Sequence, residues 1–169
     1  MITVCDALWD LYDENRVRTT QKLHRGETLP QGLYHLVVGA WVRNSKGQLL
    51  ISQRHPSKNF PFFWECTGGS VQAGESGIDA ATREVYEELG LVLNQSDAVL
   101  FHQTRRDEMQ DFYDAWLFQS DVPITSLKLQ ATEVLEAKWV DMLTLYEMFL
   151  NNELHPKLDY IDKVIDMIK

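Results

Sequence analysis

The stretch that decides the fold covers residues 69–91 and reads GSVQAGESGIDAATREVYEELGL. Its second half predicts a helix over residues 76–89, because apolar side chains recur there every three or four positions and so share one helical face. Ser76 is a suitable N-cap, and Gly90 is a suitable terminator because glycine readily adopts a left-handed conformation. Residues 68–75 are rich in glycine, and we expect them to form no regular element.

Three glutamates occupy a second face of this helix. Glu84, Glu87 and Glu88 are related by i, i+3 and i+4, so their carboxylates project from one side. Like charges repel, and Arg83 is the only cation within residues 76–90. The triad by itself fits either a solvated acidic face or a group of oxygen ligands for a hard divalent cation.

The spacing of the whole stretch favours the second interpretation. It follows the pattern GX5EX7REUXEEXGU, in which U is aliphatic, and its specified positions are Gly69, Glu75, Arg83, Glu84, Val85, Glu87, Glu88, Gly90 and Leu91. In this pattern the chain resembles the Nudix hydrolase family, and the flanking order of strands extends the similarity over about residues 33–141. The resemblance implies an α/β fold, the Nudix fold: an α/β/α sandwich with a mixed sheet and the loop-helix of the box.

The same resemblance implies the chemistry. The family hydrolyses a nucleoside diphosphate linked to another group X, and it cleaves at the pyrophosphate with the help of Mg²⁺ or Mn²⁺. By resemblance, Glu84, Glu87 and Glu88 would hold the metal, and a backbone carbonyl of Gly68 or Gly69 would join them. Such ions neutralise phosphate charge and activate a bound water.

Glu75 and Arg83 are expected to support the metal ligands. Arg83 lies beside the cluster and can hold the glycine-rich loop through a charge-assisted hydrogen bond to Glu75. The alternative is an ordinary i, i+4 pair between Arg83 and Glu87 on the helix surface.

Members of the family often use one more acidic residue from outside the box. We expect Glu133 to be this residue, because it lies immediately before the strand predicted over residues 134–140, a position similar to that of the extra acid in related enzymes. The competing candidates are Glu108, Asp111 and Asp114, and a mechanism without such a residue also stays open.

Cations and aromatic residues precede the box and are candidates for substrate binding. Arg54 and Lys58 could meet a diphosphate, and the aromatic run at residues 60–64, Phe63 included, could stack on a base or pack an apolar tail. The alternative is that the aromatic residues belong to the core and that Arg54 forms a surface ion pair.

A second enzyme class shares part of this arrangement. The strand with His35 and the position of Lys58 also resemble isopentenyl-diphosphate isomerase, a sister branch of the fold that uses the cysteine of a Cys-Gly-His-Pro segment. The corresponding run here is CTGGSV, in which Gly68 precedes Gly69, Ser70 replaces the histidine and Cys66 lies two residues too early. We therefore expect hydrolysis rather than isomerisation. A catalytically inactive nucleotide-binding module is disfavoured because the box is complete.

Composition restricts the partners. The 169 residues carry 25 acidic and 16 basic side chains, a net charge of −9, whereas general nucleic-acid binders are basic. No stretch approaches the ~18 apolar residues of a membrane-spanning helix. The two cysteines, Cys5 and Cys66, cannot form a disulfide framework, which suits a reducing cytoplasm. We expect a small-molecule diphosphate as the partner, with no nucleic acid and no membrane, and leave a homodimer open.

The remaining pattern predicts one domain. Residues 1–32 are mixed and polar, and we expect an N-terminal arm of the same domain, with the Nudix domain over residues 33–169. Apolar and β-branched runs predict strands, and two further helices are predicted on either side of His155 and Pro156. The predicted strands are 33–42 and 48–54, joined as a hairpin, then 64–67, 97–104, 111–119 and 134–140, and the further helices are 141–151 and 157–168.

Overall fold

The structure is a computed structural model that describes residues 7–169, so Cys5 lies outside the described residues. The strands are β1 (Leu8–Tyr12), β2 (Arg18–His24), β3 (His35–Arg43), β4 (Leu49–Arg54), β5 (Trp64–Glu65), β6 (Thr67–Ser70), β7 (Val99–Arg106), β8 (Asp111–Gln119) and β9 (Val134–Val140). The helices are α1 (Gly77–Leu89), α2 (Met142–Leu150) and α3 (Ile161–Ile168). Within residues 7–169, no helix combines the length and the apolar character needed to cross a membrane.

Strand β3 is the centre of the main sheet. It runs parallel to β8 in continuous register from the pair His35–Asp111 to the pair Arg43–Gln119. It also pairs antiparallel with β6, while β4 pairs antiparallel with β5 and β9. Strand β7 completes the other edge beside β8. The sheet is therefore mixed, and the predicted α/β class is confirmed.

Both faces of the sheet are covered, because neighbouring side chains of a strand point to opposite faces. On one face Leu36, Val38, Ala40 and Val42 pack with the apolar side of α1. On the other face Trp41 and residues of β8 pack with α2 and α3. This two-sided burial explains why the sequence of β3 is almost continuously apolar.

Helix α1 begins and ends as its sequence predicts. The hydroxyl of Ser76 accepts a hydrogen bond from the backbone N–H of Asp79 at 3.2 Å. Gly90 has φ 66°, a left-handed conformation, and its N–H donates to the carbonyl of Tyr86 at 2.9 Å. These local caps set the direction of the helix and therefore the positions of its glutamates.

Two sequence predictions were wrong, and a third, the β3–β4 hairpin, holds only in part. The expected irregular stretch at 68–75 begins with strand β6, because Gly68 and Gly69 lie opposite Gly39 and Val38. A Cβ at Gly68 would overlap the carbonyl oxygen of Val38, so glycine here permits close strand pairing instead of preventing it. The predicted hairpin between β3 and β4 shares only one residue pair, and β4 pairs mainly with β9. Helix α3 begins at Ile161, later than expected, because a turn follows Pro156.

An N-terminal strand pair, β1–β2, lies against the main sheet. Tyr12 and Tyr34 exchange backbone hydrogen bonds of 2.8 and 2.9 Å. The guanidinium of Arg16 donates to both carboxylate oxygens of Asp114, which is buried in β8. The carboxylate of Asp10 accepts from the N–H of Gly74 at 2.8 Å. The pair is thus tied both to the sheet and to the loop of the box.

Candidate active site

A cavity of about 980 Å³ lies between the sheet face that carries Tyr113, the helix α1 and the segments 54–60 and 155–158. Most of the predicted site residues line it, namely Arg54, Lys58, Gly68, Gly69, Arg83, Glu84, Glu87, Glu88 and Glu133. Glu75 and Phe63 are not part of its wall. The box residues form one end of the cavity, which we call the carboxylate end.

Arg83 organises the carboxylate end. Its Nε and Nη2 donate to the two carboxylate oxygens of Glu75 at 2.8 and 3.1 Å, and Nη2 also donates to the carbonyl of Ser70 at 3.1 Å. Its Nη1 donates to Glu84 at 2.8 Å and to Glu87 at 3.2 Å. Both interpretations of Arg83 are therefore correct, since the same guanidinium holds the glycine-rich loop and also pairs with Glu87 along the helix.

Glu84 is pressed against the glycine-rich strand. A Cβ at Gly69 would overlap the carboxylate of Glu84, so any residue other than glycine at this position would displace the carboxylate. Burial raises the pKa of Glu84, although the neighbouring charge of Arg83 opposes the shift. The carboxylate thus lies close to the backbone of β6, where the peptide oxygens of Gly68 and Gly69 are further oxygen donors.

Glu88 and Glu133 meet through Lys58. The Nζ of Lys58 lies 2.7 Å from a carboxylate oxygen of Glu133 and 3.5 Å from a carboxylate oxygen of Glu88. Glu88 is almost fully buried, and this burial raises its pKa to about 8, with Lys58 opposing the shift. One ammonium group therefore compensates the charge of Glu88 only in part.

The oxygen donors of the carboxylate end suit a divalent cation in their chemistry but not yet in their positions. Among residues 7–169 no three acidic, histidine or cysteine side chains converge closely enough to hold a metal as they stand. Cations separate the carboxylates, with Arg83 on Glu84 and Lys58 on Glu88. The chemistry of the donors nevertheless fits Mg²⁺ or Mn²⁺, because carboxylate and carbonyl oxygens are the ligands that these ions prefer. The incompletely compensated Glu88 is also where a further positive charge would be most favourable.

The three competitors of Glu133 have other partners or lie outside the cavity wall. Asp111 lines the same cavity, but it is buried and receives two hydrogen bonds of 2.7 and 2.8 Å from Arg106. Asp114 is engaged by Arg16, and Glu108 is exposed and outside the cavity wall. Glu133 differs from them in pairing with Lys58, which also reaches Glu88 of the box.

The substrate-binding candidates divide between two places. Arg54 lines the cavity, but its guanidinium donates to Glu65 at 2.7 Å and to the carbonyl of Asn59 at 2.8 Å. Phe63 lies in a separate shallow depression with Phe62, whereas Phe60 faces the cavity. Phe60 also contacts the ring of His155, with 4.9 Å between centroids.

Sequence reasoning missed the far end of the cavity, which we call the remote end. Its wall includes Trp9, His35, Met109, Lys157 and Leu158. These residues come from β1, β3, the turn before β8 and the segment before α3. Apart from His35 in the isomerase-like strand, no sequence pattern singles them out, because only the folded chain brings them together.

Cys66 belongs to a buried polar cluster. Its Sγ lies 4.0 Å from the hydroxyls of both Tyr113 and Tyr160, and these two hydroxyls are 2.6 Å apart. Burial raises the pKa of the Cys66 thiol to about 12. The thiol is therefore protonated near neutral pH and is a poor nucleophile.

Comparison with known proteins agrees with this architecture. The family model of the NUDIX domain matches residues 33–161. The "Uncharacterized Nudix hydrolase lmo0368" of Listeria monocytogenes is 40% identical over 134 residues, which is 78% of each chain. The crystal structure of DR0079 from Deinococcus radiodurans aligns with a TM-score of 0.71 and 25% identity, over 87% of this chain and 91% of that one. An isopentenyl-diphosphate Delta-isomerase of Escherichia coli is 28% identical over 116 residues, 65% of this chain and 63% of that protein.

A mixed sheet, a box helix and a cavity lined by its carboxylates define a hydrolase of the α/β class that acts on pyrophosphate bonds. The chain belongs to the Nudix hydrolase family.

Proposed function

We propose that this enzyme uses Mg²⁺ or Mn²⁺ to cleave the pyrophosphate bond of a nucleoside diphosphate linked to a group X, or of a related organic diphosphate. The observation that carries the proposal is the meeting of Glu84, Glu88 and Glu133 at one end of a single cavity, with Lys58 between the last two. A protein of net charge −9 needs local positive charge to accept such an anion, and bound metal together with Lys58 provides it.

The metal would be held by Glu84, Glu87 and Glu88, with a carbonyl of Gly68 or Gly69. When bound, it would neutralise phosphate charge and lower the pKa of a coordinated water. Glu75 acts through Arg83, which holds the loop against the helix. These contacts keep the oxygen donors in place before the substrate arrives.

Side chains of the protein bind the phosphate groups and accept the proton of the attacking water. Lys58 can donate hydrogen bonds to a phosphate oxygen, and Arg54 contributes positive charge beside it. Glu133 accepts the proton of the water whose oxygen attacks a phosphorus atom. The bond from that phosphorus to the bridging oxygen breaks, so two phosphate monoesters leave, one carrying the nucleoside and the other X. Water thus supplies all the atoms that the products gain.

The direct test is a product assay over a panel of nucleoside diphosphate compounds and organic diphosphates, with Mg²⁺, Mn²⁺ or excess chelator. We expect metal-dependent release of a nucleoside monophosphate or organic monophosphate from at least one compound, and no release in chelator. Turnover that persists in chelator, or a panel without any hydrolysis under either metal, would contradict the proposal.

Cys66 provides a test against isomerase chemistry. We expect Cys66→Ser to keep kcat within about threefold of wild type, because a thiol with so high a pKa contributes no nucleophile or acid-base group near pH 7. Incubation with isopentenyl diphosphate should yield no isomerised product. A well-folded Cys66→Ser variant without activity would support the cysteine-dependent reaction instead.

A further inference from the structure

The N-terminal strand pair, which lies outside the matched NUDIX domain, binds the loop of the box at residues 71–75. Strand β1 precedes residue 33, where the family model begins. The N–H of Ala73 donates to the carbonyl of Leu8 at 2.7 Å. The N–H of Gly74 donates to a carboxylate oxygen of Asp10 at 2.8 Å. Strand β1 therefore holds two successive peptide groups of this loop, one through its backbone and one through a side chain.

These two contacts complete the hydrogen bonding of the loop. A loop packed against a sheet needs acceptors for its backbone N–H groups. The N–H of Val71 donates to the carbonyl of Leu36 in β3 at 2.8 Å. The N–H of Gln72 donates to the carboxylate of Glu75 at 3.0 Å, and the N–H of Glu75 donates to the carbonyl of Gln72 at 3.0 Å. Each of the five N–H groups from residue 71 to residue 75 thus has an acceptor, and β1 supplies two of the acceptors.

The side chain of Asp10 is nine-tenths buried, and its shortest polar contact within residues 7–169 is the one to Gly74. The cationic groups of Arg18 and Lys22 lie 3.7 and 3.9 Å from its carboxylate, and both side chains are at least half exposed. Ion pairs with exposed partners contribute little to stability. A buried carboxylate is unfavourable unless it is hydrogen-bonded, so the bond from Gly74 is the contact that accounts for an acidic residue at this position.

Gly74 connects Asp10 to the residues that hold the carboxylate end. It has φ 80°, a left-handed conformation, and it directly precedes Glu75, so the orientation of its peptide sets the direction in which Glu75 leaves the turn. The carboxylate of Glu75 accepts hydrogen bonds from Nε and Nη2 of Arg83. Nη1 of the same guanidinium donates to Glu84. A displaced Gly74 would therefore move the group that fixes a carboxylate of the box.

We propose that Asp10 is a positioning residue of the carboxylate end, which holds Glu75 and Arg83 in place through Gly74 and so keeps the oxygen donors of the box in position for a divalent cation. Its side chain lies outside the cavity wall, so it acts only through other residues. This inference rests on the proposed function, since it takes the carboxylates of the box to be the metal ligands. It makes the N-terminal strand pair a working part of the site.

The first measurement is the affinity of the substrate-free protein for Mn²⁺, followed by the electron paramagnetic resonance signal of the free ion. We expect Asp10→Ala to weaken binding at least about threefold, because partners that orient metal ligands contribute about tenfold or more and Asp10 acts one step further away. Asp10→Asn keeps an oxygen that can accept from Gly74, so its affinity should stay within about twofold of wild type. Equal weakening by both variants would assign the effect to the charge of Asp10 and overturn positioning by this hydrogen bond.

The second measurement is amide hydrogen exchange and needs no metal. Because the N–H of Gln72 donates to the carboxylate of Glu75, its exchange reports whether that carboxylate is in place. We expect Asp10→Ala to accelerate exchange at Gln72 about tenfold, and to accelerate it less at Val38, a fully buried residue of β3 that reports global unfolding. Equal acceleration at both residues would show a general loss of stability and overturn the specific role.

Asp13→Ala is the matched control. The carboxylate of Asp13 accepts hydrogen bonds from the N–H groups of Asn15 and Val17, both at 2.9 Å, in the turn between β1 and β2. The same substitution at this position weakens the strand pair but leaves the contacts to the loop of the box. We expect a lower melting temperature with unchanged affinity for Mn²⁺. A loss of affinity as large as that of Asp10→Ala would show that any weakening of the strand pair suffices, and would overturn the role of the Asp10 side chain.

The outcomes separate this inference from the proposed function. A wild-type protein that binds no Mn²⁺ would contradict the proposed metal dependence, and exchange at Gln72 would still decide whether Asp10 positions Glu75. A wild type that binds Mn²⁺, together with an Asp10→Ala variant of unchanged affinity, would overturn the inference and leave the proposed hydrolysis intact.

Discussion

Glu88→Gln is expected to lower kcat at least about 10³-fold, because the carboxylate that would bind the metal becomes a neutral amide and a bound metal supplies several kcal/mol of transition-state stabilisation. Glu84→Gln should have a similar effect, since it removes the half-buried carboxylate of the box that pairs with Arg83. The measurement is kcat at saturating substrate and Mg²⁺, for the compound that wild type hydrolyses best.

Neither substitution should reduce stability much. Burial raises the pKa of Glu88 to about 8, so without metal its carboxyl is largely protonated near pH 7, and an isosteric amide removes no stabilising charge from the fold. Urea denaturation should show a free energy of unfolding for Glu88→Gln equal to or above that of wild type. Glu136→Gln, an exposed and isosteric change in β9, is the matched control and should keep both activity and stability. A Glu88→Gln enzyme that turns over within threefold of wild type would refute the assignment of the metal ligands.

Glu133→Gln is expected to lower kcat about 10²-fold or more, the contribution of a general base, without change in folding. Glu133 is half-buried at the cavity wall, and its carboxylate is bonded only to Lys58 among the residues of the carboxylate end. Titration with Mn²⁺ distinguishes a base from a ligand. A kcat that recovers at high Mn²⁺ would make Glu133 a metal ligand, and an unchanged kcat would remove it from the mechanism.

Lys58→Met separates a direct contribution of Glu133 from an indirect one. If Glu133 acts on the attacking water, Glu133→Gln should still lower kcat in the Lys58→Met background. If Glu133 only positions Lys58, the double variant should be no slower than Lys58→Met alone. Glu136→Gln again controls for the loss of a negative charge in this part of the chain, because it lies three residues along the sequence and outside the cavity wall.

The two errors in the sequence-based description of the sheet share one cause. The stretch at Gly68 and Gly69 was expected to be irregular because glycine has low strand propensity. Strand β6 forms there because the neighbouring strand β3 accepts close backbone pairing, a condition that local propensity does not contain. The β3–β4 hairpin was expected to pair along its length, yet the two strands share only the pair Arg43–Leu49, and the longest partner of β4 is β9 on its other edge.

Local rules of helix capping and periodicity were sufficient to predict the helix of the box. The caps at Ser76 and Gly90, the apolar face of α1 and the projection of Glu84 and Glu88 from one side all follow from interactions within a few residues. The exact spacing of the box also allowed the family to be inferred before any fold was known, and the comparisons confirm it. The site assignments within the box remain predictions for the kinetic tests above.

Long-range packing decided the rest of the cavity. Several contacts in the cavity join segments far apart in the chain. They are the pairing of Lys58 with Glu133, the contact of Phe60 with His155 and the stack of Trp9 on His35. Such contacts depend on strand register, in which a slip of one residue turns every side chain to the opposite face. Helix periodicity and capping act within one or two turns and carry no information about register between distant strands. The helix of the box could therefore be predicted from its own residues, whereas the wall that faces it exists only in the folded chain.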